Sequence, residues 1–249
     1  MPIDPNSITS DMTLEIDDQS VTMNEFATAV DHFLGLVKEV SKTTAPGKNP
    51  AAWFVDVYRS SVGIGVRAES NVFSADEIAT IRTTVTAGLR ELERGKRPAN
   101  LSDRAIEHSK ALASLRNGKT ATVRVWHGQT DPVTISSQVR LTAETIMAPT
   151  YEEDSSVEGF LERLNAHDKN EFVIYDTLTK RGITCYVDAT SLDALATSGV
   201  LRKRVEVIGR VRYREDGQPV SVRVHSIVPF PDAADIPDLN EMRELLKGA

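Results

Sequence analysis

Apolar residues recur with two different spacings in the first 150 residues. In residues 21–42 they recur every three or four positions, and the same spacing follows Ser74 and Ser102, which predicts three amphipathic helices. The second spacing is an alternation with period two, which is typical of strands. The segments predicted as strands are residues 12–17, 53–61, 62–70, 120–127 and 132–146. Because helices and strands mix without a regular β-α-β alternation, we predict an α+β domain over residues 1–150, with helices on one side of a largely antiparallel sheet.

A change of pattern follows at residues 148–156, APTYEEDSS, which are polar and acidic and include a proline. Such composition predicts a joint between domains. Residues 155–230 then show three strand patterns, a short helix and two more strand patterns, which is the order of the OB-fold, a small all-β barrel. Residues 231–249 are predicted as a proline-containing linker and a short amphipathic C-terminal helix, which docks on its own protein or on a partner.

The second domain resembles a known family in five segments, VEGFLERLN, FVIYD, ITCYVD, KRVEVIGRVRY and PVSVRVHSIVPF. These segments look like the OB domains of the tRNA-anticodon-binding and replication-protein type. In that family a glycine bends the first strand and a V-x-V-x-G-x-V segment forms the fourth. The resemblance covers about a third of the chain. The whole chain is also similar to uncharacterised bacterial two-domain proteins, which implies no activity.

Residues 209–225, GRVRYREDGQPVSVRVH, are predicted as two strands joined by a two-residue Asp-Gly turn. This turn sets a register in which Arg210 lies opposite Arg223 and Arg212 lies opposite Ser221. Alternation along both strands then sends the valines inward and four arginines outward together. These are Arg210, Arg212, Arg214 and Arg223.

Like charges opposite each other on a sheet cost between a few tenths of a kcal/mol and about 1 kcal/mol. An anionic partner is one explanation of the basic face, because guanidinium groups bind phosphates with paired hydrogen bonds. Solvation is another, since exposed charges discourage edge-to-edge aggregation of strands. A third is that the basic hairpin rests against the acidic first domain or the acidic tail.

Aromatic residues are the second candidate feature of the barrel. Alternation predicts Phe160, Tyr175 and Tyr186 on the outer face, where a stacked base contributes roughly 1–3 kcal/mol. Burial under a helix or under the other domain is the alternative. The carboxylates predicted on the same face, which oppose binding of phosphates, are Glu158, Glu162 and Asp188.

Composition excludes several classes of site. The single cysteine, Cys185, rules out an internal disulfide framework and a Cys-rich zinc site, and it is predicted to face inward as a small apolar group. The five histidines have no metal-ligand spacing, and Gly63 and Gly65 lack the third glycine of a dinucleotide loop. We therefore expect no catalytic centre, no metal and no cofactor.

The net charge of −7 argues against coating of duplex DNA, although residues 155–230 hold 11 Lys and Arg against 10 Asp and Glu. No apolar run approaches the roughly 20 residues of a membrane span, and the start of the chain lacks the pattern of a secretory signal, so we expect a cytoplasmic protein. The patterns favour a non-enzymatic binding protein with single-stranded nucleic acid as its first candidate ligand. The alternative is a protein-binding adaptor or structural subunit.

Overall fold

The computed structural model describes residues 3–17, 21–58, 62–115, 122–167 and 169–231. The chain forms two compact units, Met1–Met147 and Ala148–Ala249. The predicted C-terminal helix lies outside the described residues. Among the described helices, none combines the length and the apolar character needed to cross a bilayer.

The first unit is an antiparallel sheet with helices packed on one face. Its strands pair in the order β2-β3-β1-β4-β5. Buried side chains of the helices share one hydrophobic core with Met12, Leu14 and Ile16 of β1, so the helices cover this face. The elements are β1 (Met12–Asp17), α1 (Met23–Thr44), β2 (Trp53–Tyr58), β3 (Val62–Ala68), α2 (Ala75–Glu93), α3 (Asp103–Ser114), β4 (Thr122–His127), β5 (Val133–Ile135) and α4 (Ser137–Met147).

The helices begin where the sequence places capping residues. The Ser74 hydroxyl accepts a hydrogen bond from the Glu77 amide, and the Glu77 carboxylate accepts one from the Ser74 amide. Ser102 caps α3 by accepting the Ala105 amide at 3.2 Å. These contacts satisfy amides that have no partner within a helix, which explains why both predicted helix starts are confirmed.

The opposite face of the first sheet is covered by the N-terminal segment. Buried Glu15 accepts hydrogen bonds from the Ile3 amide at 2.7 Å and from the Trp126 indole at 2.9 Å. Ser10 lies against β3 at Gly65, where an added Cβ would meet its hydroxyl oxygen at 2.1 Å. Gly65 is therefore required by close packing.

The prediction of one long strand over residues 132–146 is wrong. Only Val133–Ile135 forms a strand, and α4 begins at Ser137. The buried side chains of α4, Val139, Thr142 and Ala143, follow helical spacing. β-Branched residues in this stretch favour a strand locally, but packing against the core decides for a helix.

The second unit is a closed ring of five strands. Its elements are β6 (Tyr151–Asn165), β7 (Glu171–Asp176), β8 (Gly182–Tyr186), α5 (Ala189–Thr197), β9 (Arg204–Tyr213) and β10 (Pro219–Pro229). The strands pair in the order β10-β8-β7-β6-β9, and β9 pairs back with β10. All pairs are antiparallel except β8 with β10. With five α-helices and two mostly antiparallel sheets in its described part, the chain is of the α+β class, which was predicted for residues 1–150.

Alternation along the ring strands places the predicted residues inside. Val205, Val207 and Val211 are fully buried in the core of the ring, as is Cys185 of β8. Burial raises the pKa of the Cys185 thiol, so this residue behaves as an apolar group. The same core includes Val157, Leu161, Ile174, Ile183 and Val222.

The acidic segment predicted as a joint is part of a strand. Residues 151–156 form the first part of β6, which pairs with β9 here and with β7 further along. The polar composition that indicated a linker reflects a strand whose outer side chains meet the arginines of β9.

Gly209 of β9 lies close to the backbone of β10. A Cβ at Gly209 would stand 2.2 Å from the Arg223 carbonyl oxygen, next to a bulge between Val224 and Ser226. Because the obstacle is backbone, it cannot turn aside as a side chain can. The glycine of the V-x-V-x-G pattern is therefore a packing requirement.

We predict that Gly209→Ala destabilises the ring by about 1–3 kcal/mol, since the added methyl must push two paired strands apart. The buried thiol of Cys185, the chain's single cysteine, gives the measurement: thiol labelling at increasing urea reports opening of the ring. Ser226→Ala, at an exposed position nearby, is the matched control. Equal labelling midpoints for Gly209→Ala and wild type would contradict the prediction.

Candidate functional site: the outer face of the ring

The turn between β9 and β10 has three residues rather than the predicted two. The Arg214 amide donates to the Gln218 carbonyl at 3.0 Å, and the Gly217 amide donates to the Arg214 carbonyl at 3.0 Å. Gly217 has φ +76°, a conformation that glycine adopts without strain. The predicted two-residue Asp-Gly turn, in which Glu215 would lie opposite Gln218, is therefore wrong.

The register further from the turn is nevertheless as predicted. A second irregularity, between Pro219 and Ser221, shifts the pairing by one residue and offsets the longer turn. Arg212 therefore lies opposite Ser221, and Arg210 lies opposite Arg223. The two arginines predicted to face each other do so on the outer face of the ring.

The predicted row of four exposed arginines is reduced to three, because the prediction that Arg214 projects into solvent is wrong. Its side chain is 5% exposed, whereas those of Arg210 and Arg212 are 51% and 50% exposed. Its Nε atom lies 3.7 Å from the Asp216 carboxylate within the turn. The alternation of β9 ends at Tyr213, so the parity of the strand no longer governs residue 214.

Carboxylates of β6, the neighbour of β9 in the same ring, neutralise the basic face. Glu152 lies 3.3 Å from Arg210 Nε through one oxygen and 3.1 Å from Arg212 Nε through the other. The register also places Asp154 opposite Arg210, and Arg204 forms an ion pair with Glu158. The answer to the like-charge repulsion is thus an acidic strand of the same ring, which none of the three explanations drawn from the sequence anticipated.

Arg223 stands apart from this neutralised group. It is exposed, and within the described part of the chain no carboxylate forms an ion pair with it. Its neighbour on β8 is Tyr186, whose side chain is 38% exposed. An unpaired guanidinium and an aromatic ring on neighbouring strands are groups that can bind a phosphate and stack on a base.

The other two aromatic residues also lie on the outer face, further along the ring. Phe160 of β6 is 38% exposed and lies opposite Tyr175 of β7, which is half-buried. A Cβ at Gly182 would be 3.6 Å from Tyr175 Cε1, so the tyrosine ring lies beside this glycine. The predicted outward orientation of all three aromatic residues is confirmed, whereas their role in binding stays a prediction.

The carboxylates that counted against an anionic ligand are partly engaged elsewhere. Asp188 caps α5 by accepting the Ser191 amide at 2.8 Å, and hydrogen bonds to Ser191 lower the pKa of Asp188. Glu171, which lies opposite Tyr186, accepts a hydrogen bond from Asn165 at 3.2 Å. Glu162 is exposed and lies in a bulge of β6. The lowered pKa keeps Asp188 negatively charged, and Glu171 adds a carboxylate opposite Tyr186 that the sequence pattern did not single out.

The sequence did not reveal one pair of histidines in the first unit. His32 of α1 and His108 of α3 approach with their Nδ1 atoms 3.1 Å apart, and burial together with His32 lowers the pKa of His108. These residues are 76 positions apart, so no spacing signals their contact. Among the described residues, no group of three or more His, Cys, Asp and Glu side chains is arranged to hold a metal ion.

We predict that Glu152→Gln makes the ring more attractive to polyanions, because the change releases Arg210 and Arg212 from their shared carboxylate. Elution from a heparin column should then require more salt than for wild type. Glu153→Gln is the matched control. Glu153 is the next residue along the chain, it is exposed and it takes no part in these ion pairs, so the change removes the same charge without releasing the arginines. Equal elution of the two variants would contradict a specific neutralising role of Glu152.

Comparison with known proteins adds no relative to these observations. The sequence matches no protein-family model and no curated protein. What the ring binds must therefore be inferred from the side chains on its outer face.

Proposed function

We propose that the ring is an OB-type barrel that binds single-stranded nucleic acid across the outer face of β7, β8 and β10. Support for the barrel comes from strand order. Three sequential neighbours, β6, β7 and β8, are followed by α5, and the last two strands close the ring between β8 and β6. Barrels of this type bind oligonucleotides and oligosaccharides on their second and third strands, which correspond here to β7 and β8.

The observation that carries the proposal is the pair Tyr186 and Arg223. They are register neighbours on β8 and β10, both are exposed, and Arg223 keeps its charge available. A base stacked on Tyr186 brings its phosphate within reach of the neighbouring guanidinium. Arg210 lies opposite Arg223, so a bound phosphate also relieves the remaining repulsion between these two cations.

The remaining aromatic residues extend the binding path around the ring. Tyr175 and Phe160 lie on the adjacent strands β7 and β6, where a second base can stack. Arg210 and Arg212 contribute less than Arg223, because binding must compete with their ion pairs to Glu152. Arg214 takes no part in this binding, since its side chain is buried. The affinity is therefore set by stacking and by one available arginine rather than by a broad basic surface.

The test is fluorescence anisotropy of labelled oligo-dT and oligo-U at low salt, with protein in the micromolar range. Tyr186→Ala should weaken binding by about 5- to 150-fold, which is the range for loss of one stacked base, whereas Tyr186→Phe should retain it. Arg223→Ala should weaken binding and lower the slope of log K against log salt by about 0.7.

Arg104→Ala is the matched control for Arg223→Ala, because it removes the same charge from an exposed position on α3 of the first unit. It should change neither the affinity nor the salt dependence by a comparable amount. No binding by the wild-type protein under these conditions, or binding that does not respond to salt, would overturn the proposal.

A second candidate is a protein-binding adaptor or structural subunit without nucleic-acid binding. It is favoured by exposed apolar residues on the outer face of the ring, Ile208 of β9 at 37% and Val228 of β10 at 47%. In this case Ile208→Asp should abolish co-purification of a partner protein, and Tyr186→Ala should not. Deletion of residues 238–249 tests whether the C-terminal segment takes part. Co-purification that survives both changes would exclude these two surfaces.

A further inference from the structure

The first unit has an open edge at β2. This strand is the outermost of its sheet and pairs with β3 alone among the described strands. An open edge presents backbone amides and carbonyls without partners, and proteins usually protect it with charges, prolines or irregular structure. We propose that β2 pairs in antiparallel orientation with β2 of a second copy of this chain, which joins the two five-stranded sheets.

The side chains of β2 are those of a strand with a partner. Val57 is 74% exposed, Phe54 is 50% exposed and Val55 is 49% exposed, so three large apolar residues meet water within four positions. Val55 and Val57 lie on one face of the sheet and Phe54 lies on the other. Isolated exposed apolar residues are common, but an apolar edge strand exposed on both faces is the feature that pairs with another strand.

Symmetry restricts how two copies of β2 can pair. A twofold axis perpendicular to the sheet makes the strands antiparallel and keeps the helices of both copies on the same side. Residues that lie opposite each other must then project to the same face, because directly paired residues share a face. Only registers in which a residue lies opposite its own equivalent satisfy this condition.

Charge and strand length choose among these registers. A register centred on Asp56 sets two carboxylates directly opposite each other, which is unfavourable. A register centred on Phe54 places Val57 opposite residue 51, which precedes the start of β2 at Trp53. A register centred on Val55 keeps Trp53 opposite Val57 and Phe54 opposite Asp56, so residues 53–57 of both copies pair within β2 and only Tyr58 lies opposite a residue outside the strand.

Arg67 makes the Val55-centred register complementary in charge. Arg67 belongs to β3 and lies opposite Phe54 of β2. Its guanidinium is 5.4 Å from the Phe54 ring centroid and 3.6 Å from an oxygen of Asp56. Since Phe54 faces Asp56 of the second copy, the two arginines and the two aspartates alternate across the interface. Each Arg67 can then bridge carboxylates from both copies. On the other face Trp53, Val55 and Val57 form a continuous apolar row.

The experiment begins with the full chain in analytical ultracentrifugation at concentrations up to about 100 µM, where the proposal requires a dimer. Val55→Cys should then form a disulfide-linked dimer on mild oxidation, because opposite residues of antiparallel strands have Cα atoms about 4.5–5.5 Å apart, within disulfide range. Wild type is the control, since its one cysteine, Cys185, is buried.

Val57→Lys should convert the dimer to a monomer, because it places a charge in the apolar row of the interface. Leu178→Lys is the matched control, since Leu178 is 89% exposed in the second unit, and it should remain dimeric. A monomeric wild type at the highest concentration, or a dimeric Val57→Lys protein, would overturn the proposal. Cross-linking of Asp56→Cys instead of Val55→Cys would overturn the register.

Discussion

The charge match between β6 and β9 is the constraint on which the outer face of the ring depends. Closing five strands into a ring places the arginines of β9 between two neighbours, and β10 adds a further arginine opposite Arg210. β6 offsets this with Glu152 and Glu158, each in contact with arginines of β9. These ion pairs are half-exposed, so each adds little stability on its own. Arg223 of β10 takes no part in these ion pairs and keeps its charge available.

Much of the fold could be predicted because it depends on local patterns. Inward valines follow from a period of two, and the starts of α2 and α3 follow from Ser74 and Ser102. The strand prediction failed for residues 137–147 because the apolar pattern of a short segment fits either a strand or a helix, and contacts with the core decide between the two. The prediction of a joint failed for residues 151–156 because acidic composition indicates that a segment is exposed, but it does not indicate whether the segment pairs with a strand. The register of β9 with β10 was right only because a longer turn and a second irregularity offset each other.

The candidate site could be predicted in its residues but not in its electrostatics. Alternation placed Tyr186, Phe160 and the arginines on the outer face, which needed only the strand pattern. Neutralisation of Arg210 by Glu152 joins residues 58 positions apart, and nothing in the spacing of either segment announces it. Arg214 shows a second limit of the strand pattern. It lies one residue beyond the end of β9, where side chains no longer alternate between the two faces of the sheet. A pattern therefore identifies which side chains point outward, and only the fold shows which of them keep a free charge.

The two units treat strand edges in opposite ways, and this contrast connects the two proposals. In the ring every strand has neighbours on both sides, so its outer residues are free to serve ligand binding without exposing a backbone edge. The first sheet leaves β2 open and lines it with apolar residues, whereas Asp56 is the only charged residue of that strand. A protein that needed to remain monomeric would place charges at this edge. The proposed pairing through β2 would give two copies of the ring per assembly, and two of the proposed sites acting on one strand of nucleic acid would bind it more tightly than either site alone.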